Sequence, residues 1–93
     1  MRINFTSSFR KDLKLIARRG YKINELEYVT NLLCNNESLP HKYKDHRLEN
    51  SRNFYGAREC HIRPDWLFVY RIDKAQGVVL CLRTGTHSDL FGK

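Results

Sequence analysis

His61 and Asp65 stand four residues apart across a proline, in the run HIRPDW, and His87 and Phe91 stand four apart in THSDLF. Imidazole titrates near neutrality and serves as general base or general acid. Two imidazoles, a carboxylate, the Trp66 indole and the Phe91 ring suit cleavage of RNA by its own 2′-OH. That reaction needs a base for the 2′-OH, an acid for the departing 5′-oxygen and positive charge for the phosphorane. Arginine or lysine supplies the charge. Trp66 or Phe91 can stack a base and hold the nucleotide splayed for in-line attack. Taken singly, each residue also has an ordinary structural reading. His61 fits a half-exposed strand, Asp65 a turn after proline and Trp66 a core. His87 and Phe91 fit a tail that plugs a sheet edge.

Metal chemistry is less favoured by the pattern. His41 and His46 are five apart, off the i, i+4 helical spacing, and no carboxylate cluster suits magnesium. No metal and no cofactor is expected. The cysteines Cys34, Cys60 and Cys81 are odd in number and form no CxxC pair, which argues against a disulfide framework or a zinc site and favours a reducing cytoplasm. The start, MRINFTSSFRKDL, has no apolar stretch of the signal-peptide kind. No apolar run approaches the ~20 residues of a membrane span, so no membrane partner is expected.

Seventeen Lys+Arg against ten Asp+Glu give a formal net charge of +7 over 93 residues. Such an excess suits a polyanion, and an acidic protein partner could use the same field. Much of it falls in LPHKYKDHRLENSRN, Leu39–Asn53, where hydrophobic periodicity disappears. Structureless loops of this length are uncommon in compact domains and are often functional. Lys42, Lys44 and Arg47, with Tyr43 between them, offer phosphate contacts and a stacking ring; the alternative is a solvated basic loop.

These residues need a scaffold. RINFT reads as a strand, Arg2–Thr6. SSFRKDLKLIARRG follows, with Phe9, Leu13 and Ile16 at helical spacing, Ser7 or Ser8 as N-cap and Gly20 as terminating glycine. INELEYVTNLLCNN puts Leu26, Val29, Leu32 and Leu33 on one face, and Asn24 with Glu27 resembles a capping box. FYGARECHI, DWLFVYRID and GVVLCLRTGT read as three antiparallel strands, with Gly77 in the last hairpin loop. The expected fold is α+β: an N-terminal strand, an αα-hairpin, then a three-stranded meander, all in one domain, residues 1–93, with the helices on one face of one sheet. Alternation sets Ala57, Glu59 and His61 against Arg58, Cys60 and Ile62, and Trp66, Phe68 and Tyr70 against Leu67, Val69 and Arg71. The meander returns Arg83–His87 to the start of the strand that opens at Asp65. His61, Asp65, Trp66 and His87 therefore converge by topology, whereas His46 joins them only if its loop folds back.

YKDHRL, ARECHIRPDWLFVYRI and RTGTHSDLFG strongly resemble the YafQ branch of the RelE/ParE toxin superfamily. The resemblance implies a RelE-like fold and a ribosome-dependent, metal-independent mRNA endonuclease. It also implies an mRNA substrate in the A site of the 70S ribosome and silencing by a cognate antitoxin, which the basic charge predicts to be acidic or amphipathic. The family's functional positions match His46, His61, Asp65, Trp66, His87 and Phe91. On this reading His87 is the general acid, His61 with Asp65 the base side, His46 an aid to proton transfer or phosphate binding, and Arg83 the stabiliser of the phosphorane. Two rivals leave the histidine corner without a purpose: a non-catalytic gyrase poison of the ParE kind, and a plain basic RNA-binding module.

Overall fold

The computed structural model describes residues 1–48, 54 and 56–92. Strand β1 (Arg2–Phe5) leads into helices α1 (Ser7–Arg18) and α2 (Ile23–Cys34). A 3₁₀ turn (His41–Tyr43) and a two-residue strand β2 (His46–Arg47) follow, then β3 (Arg58–Arg63), β4 (Trp66–Asp73), β5 (Val78–Gly85) and a terminal helix α3 (His87–Phe91). The five strands form one mixed sheet in the order β1-β5-β4-β3-β2, with β1 parallel to β5 and the other pairs antiparallel. The α+β class, the helix pair and the meander agree with the sequence reading. The N-terminal strand agrees too, as β1; its parallel pairing with β5, strand β2 and helix α3 are additional. Residues 49–53 of the expected loop, Tyr55 of the expected meander strand and Lys93 lie outside the described residues.

The helix stripes do what their spacing requires. Phe9 and Ile16 of α1 and Leu26, Val29 and Leu33 of α2 are buried against Cys60, Ile62, Trp66, Phe68, Tyr70, Val79 and Cys81. Apolar burial of this kind contributes roughly 1.5–3 kcal/mol per large side chain. The caps differ from expectation. Thr6, not Ser7 or Ser8, caps α1: its hydroxyl accepts from the Phe9 amide at 3.0 Å and donates to the Leu82 carbonyl at 2.9 Å. Helix α2 begins at Ile23 behind Lys22, with no side-chain cap bond. Asn24 is thus already inside the first turn and cannot form the expected box with Glu27.

A capping box forms instead at the chain's end, where it fixes α3. The Thr86 hydroxyl accepts from the Asp89 amide at 3.1 Å, and the Asp89 carboxylate accepts from the Thr86 amide at 2.9 Å. Arg19, at the end of α1, grips the same carboxylate at 2.7 and 3.1 Å. Gly85 makes room: its φ is +154°, and a Cβ there would sit 2.9 Å from Asp89 Oδ2. The Arg19 guanidinium, aided by the Thr86 donors, pulls the Asp89 carboxyl down from 3.8 to about 2. A depressed carboxyl contributes stability above its ordinary range and loses it as pH falls through the depressed value. Asp89→Asn is therefore expected to cost about 1 kcal/mol at neutral pH, allowing for solvent screening. In urea titrations the gap from the parent should shrink as pH falls from 5 towards 2. A gap that stays constant across that range would remove Asp89 ionisation from the docking of α3.

Candidate active site

Sheet register decides which predicted residues meet. Cys60 lies across from Phe68 and His61 across from Leu67. Cys60 and Phe68 belong to the helix-covered core, so His61 shares the opposite face with Leu67 and Glu59. Trp66, alternating with Leu67, turns inward. Strand β2 supplies the fold-back that His46 needed. Asp45, just before it, accepts from the Tyr70 hydroxyl at 2.5 Å and from Arg58 at 2.9 and 3.2 Å. Lys44 takes a left-handed conformation, φ +50°. The chain then enters β2 with His46 opposite Glu59.

Three imidazoles line up as a result. The ring centres of His46 and His61 are 6.3 Å apart, and those of His61 and His87 are 5.8 Å apart. Every one has its Nδ1 engaged. His46 Nδ1 donates to the Lys44 carbonyl at 2.7 Å and His61 Nδ1 to the Pro64 carbonyl at 3.2 Å, since a carbonyl can only accept. His87 Nδ1 donates to Asp65 Oδ1 at 2.6 Å, and the His87 backbone N–H reaches the same oxygen at 3.0 Å. Those two donors hold the Asp65 carboxyl below its usual range. With Nδ1 fixed, Nε2 of each ring is the atom left to exchange a proton.

Four sequence expectations need revision here. Asp65 was grouped with His61 but bonds His87, because Thr86–His87 returns directly over the β3–β4 turn. Trp66 was a candidate stacking surface but is 1% exposed; its Nε1 donates to the Thr84 hydroxyl at 2.9 Å and its ring meets Tyr21 edge-on at 5.1 Å. Arg83 was assigned to the phosphorane but is clamped by Asp12 at 2.6 and 3.0 Å. A bulge between Val69 and Tyr70 sets Thr84 across from Phe68 and Arg83 across from Val69. Tyr43, the expected stacking ring of the basic loop, is buried.

Phe91 is 39% exposed and held edge-on by Phe54 at 6.3 Å, so it keeps a face for a base. Lys42, Lys44 and Arg47 are all exposed. Lys44 adjoins His46 through its carbonyl, whereas Arg47 alternates away from His46 along β2, across from Arg58.

Sequence reasoning missed Glu59. Its carboxylate is buried between two rings, 3.3 Å from His46 Nε2 and 4.0 Å from His61 Nε2. The signal was present, because Glu59 alternates onto the same face as His61. Among the described residues no three His, Cys, Asp or Glu side chains are grouped to hold a metal ion. Burial pushes the Cys81 thiol up to about 12 and the Cys60 thiol up as well, so neither is a ready nucleophile. No helix among the described residues is long and apolar enough to cross a membrane.

Residues 1–92 match a family described as the bacterial toxin of type II toxin–antitoxin systems, YafQ. The mRNA interferase toxin YafQ of Escherichia coli strain B / BL21-DE3 is 42% identical over 92 residues, 97% of this chain and 95% of the relative. Among solved structures, a metal-bound toxin from Helicobacter pylori superposes with a TM-score of 0.90 at 37% identity, over 98% of this chain and 99% of that one. The E. coli DinJ–YafQ complex gives 0.87 at 40% identity, over 99% and 100%. With residues 1–92 matched by the family and a relative 42% identical over 97% of its length, the chain belongs to the YafQ family of bacterial toxins of type II toxin–antitoxin systems.

Proposed function

We propose that this toxin cleaves mRNA in the ribosomal A site, without a metal, by attack of the RNA's own 2′-OH on the adjacent phosphate. That it is an mRNA interferase, an endoribonuclease, follows from its family and from relatives of that name over nearly its whole length. The observation that carries the finer reading is the row of three imidazoles with Nδ1 fixed and Nε2 left for proton exchange. His61 Nε2 takes the 2′-OH proton. His87 Nε2 gives a proton to the departing 5′-oxygen, with Asp65 holding the ring through Nδ1. Glu59 holds His46 and His61 side by side, and His46 aids phosphate binding. Lys44 supplies further positive charge in place of Arg83. Phe91 stacks a base. A cognate antitoxin with an acidic or amphipathic segment covers this basic corner or bars its entry to the ribosome.

One experiment tests the set. Purified toxin is mixed with programmed 70S ribosomes, with and without a chelator of divalent ions that leaves the ribosomes intact, and cuts are mapped by primer extension. The expected result is cleavage inside the A-site codon that survives removal of toxin-bound metal and yields a 2′,3′-cyclic phosphate end. Glu59→Gln, which keeps size but loses charge, should slow it about 10²-fold by misplacing the two rings. A 5′-phosphate product, or activity abolished when the toxin alone is stripped of metal, would overturn the mechanism. Intact mRNA with broken DNA in intoxicated cells would favour the gyrase reading.

A further inference from the structure

Beside His61, away from His87, a groove of about 820 Å³ runs between the start of α2 and the 3₁₀ turn. His61 forms one wall, so the groove adjoins the row of imidazoles at its middle member. Tyr28 of α2 lines it and is 53% exposed, a high value for a large aromatic ring on a helix whose other large apolar side chains pack inward. Lys42, Lys44 and Arg63 line it too. Among the described lining residues Glu25 supplies the one carboxylate, and Arg63 grips it at 2.7 and 2.8 Å. The pair neutralises itself, which leaves Lys42 and Lys44 as the groove's excess charge. Lys42 is steadied over the buried Tyr43 ring, its Nζ 5.2 Å from the centroid, and Lys44 is tied to the catalytic row because its carbonyl holds His46.

An exposed ring, two lysines and continuity with a scissile centre are the parts of a single-stranded nucleic-acid subsite, with stacking for the base and cations for the backbone. We propose that this groove receives the nucleotide on the 5′ side of the cut, its base stacked on Tyr28 and its phosphate against Lys42 and Lys44. The inference rests on the cleavage reading above, in which His61 takes the proton of that nucleotide's 2′-OH. The strand must leave His61 on this side, because the leaving-group side belongs to His87. An acidic protein segment would use the lysines but has no need of a bare aromatic face in the same groove.

The test separates binding from cleavage. The full chain with His87→Ala, a change outside the groove, is titrated with a trinucleotide carrying 2′-deoxyribose at the scissile position, and the Tyr28 ring is followed by NMR. The expected result is a saturable upfield shift of the ring. Tyr28→Ala should weaken binding about tenfold, the low end of what loss of one stacked base costs, and Tyr28→Phe should restore it. On programmed ribosomes Tyr28→Ala should raise the toxin concentration for half-maximal cleavage by a similar factor with little change in the limiting rate. An unmoved Tyr28 ring overturns the proposal, as does binding of an abasic trinucleotide as tight as that of the normal one. A ring that shifts with an acidic peptide but not with RNA also overturns it and assigns the groove to a protein partner. If wild type cuts mRNA while Tyr28→Ala is indistinguishable from it, the subsite fails alone. If wild type does not cut, the cleavage reading fails.

Discussion

His87→Ala is expected to reduce single-turnover mRNA cleavage by about 10²–10⁴, the usual contribution of one proton-transfer group. The fold gives no reason for that loss to be indirect. The His87 side chain is 47% exposed, and the hydrogen bond from its backbone amide to Asp65 survives the substitution. The capping box that holds α3 uses Thr86 and Asp89, not the imidazole. Thermal or urea unfolding should therefore move by no more than about 0.5 kcal/mol, as for most surface changes. Asp65 keeps the ring in the tautomer whose Nε2 faces the reaction, so Asp65→Asn should lose activity in the same direction. Near-wild-type cleavage by folded His87→Ala would remove this imidazole from proton transfer and leave His46 and His61 to share both roles.

Trp66→Ala is expected to act on stability instead, by about 3–5 kcal/mol. Domains of this size are stable by only about 5–15 kcal/mol, so the substitution removes a large share of the total. The indole is almost wholly buried, packs edge-on against Tyr21 and satisfies the Thr84 hydroxyl, which itself donates to the Leu67 carbonyl at 2.7 Å. Removing it opens a cavity under the turn that carries Asp65 and frees the segment that leads to His87. Trp66→Phe keeps most of the volume and should cost much less, with the lost hydrogen bond worth about 1 kcal/mol. Urea midpoints for the three proteins check this ordering. A Trp66→Ala protein with a parental midpoint and no RNA binding would mean that the ring leaves the core to meet substrate, as the sequence pattern alone allows.

The local parts of this protein are written in its sequence. Apolar spacing in Phe9, Ile16, Leu26, Val29 and Leu33 determines two amphipathic helices, because a 3.6-residue period admits one buried stripe. Alternation in β3 and β4 determines which residues share a face, because strand side chains repeat with period two. The titratable set of His46, His61, Asp65 and His87 is legible for a similar reason: few residue types move protons near neutral pH. Alternation does not say which face of one strand joins which face of the next. That waits on register, and the pairing of His61 with Leu67 sends Trp66 to the core and Glu59 to the site. Asp12 captures Arg83 from 71 positions away in the chain, and Arg19 fixes Asp89 from 70. His46 reaches the row only because Asp45 finds Tyr70 and Arg58 across the sheet. Such partners are chosen by the packing of helices on a twisted sheet, and no local period encodes them.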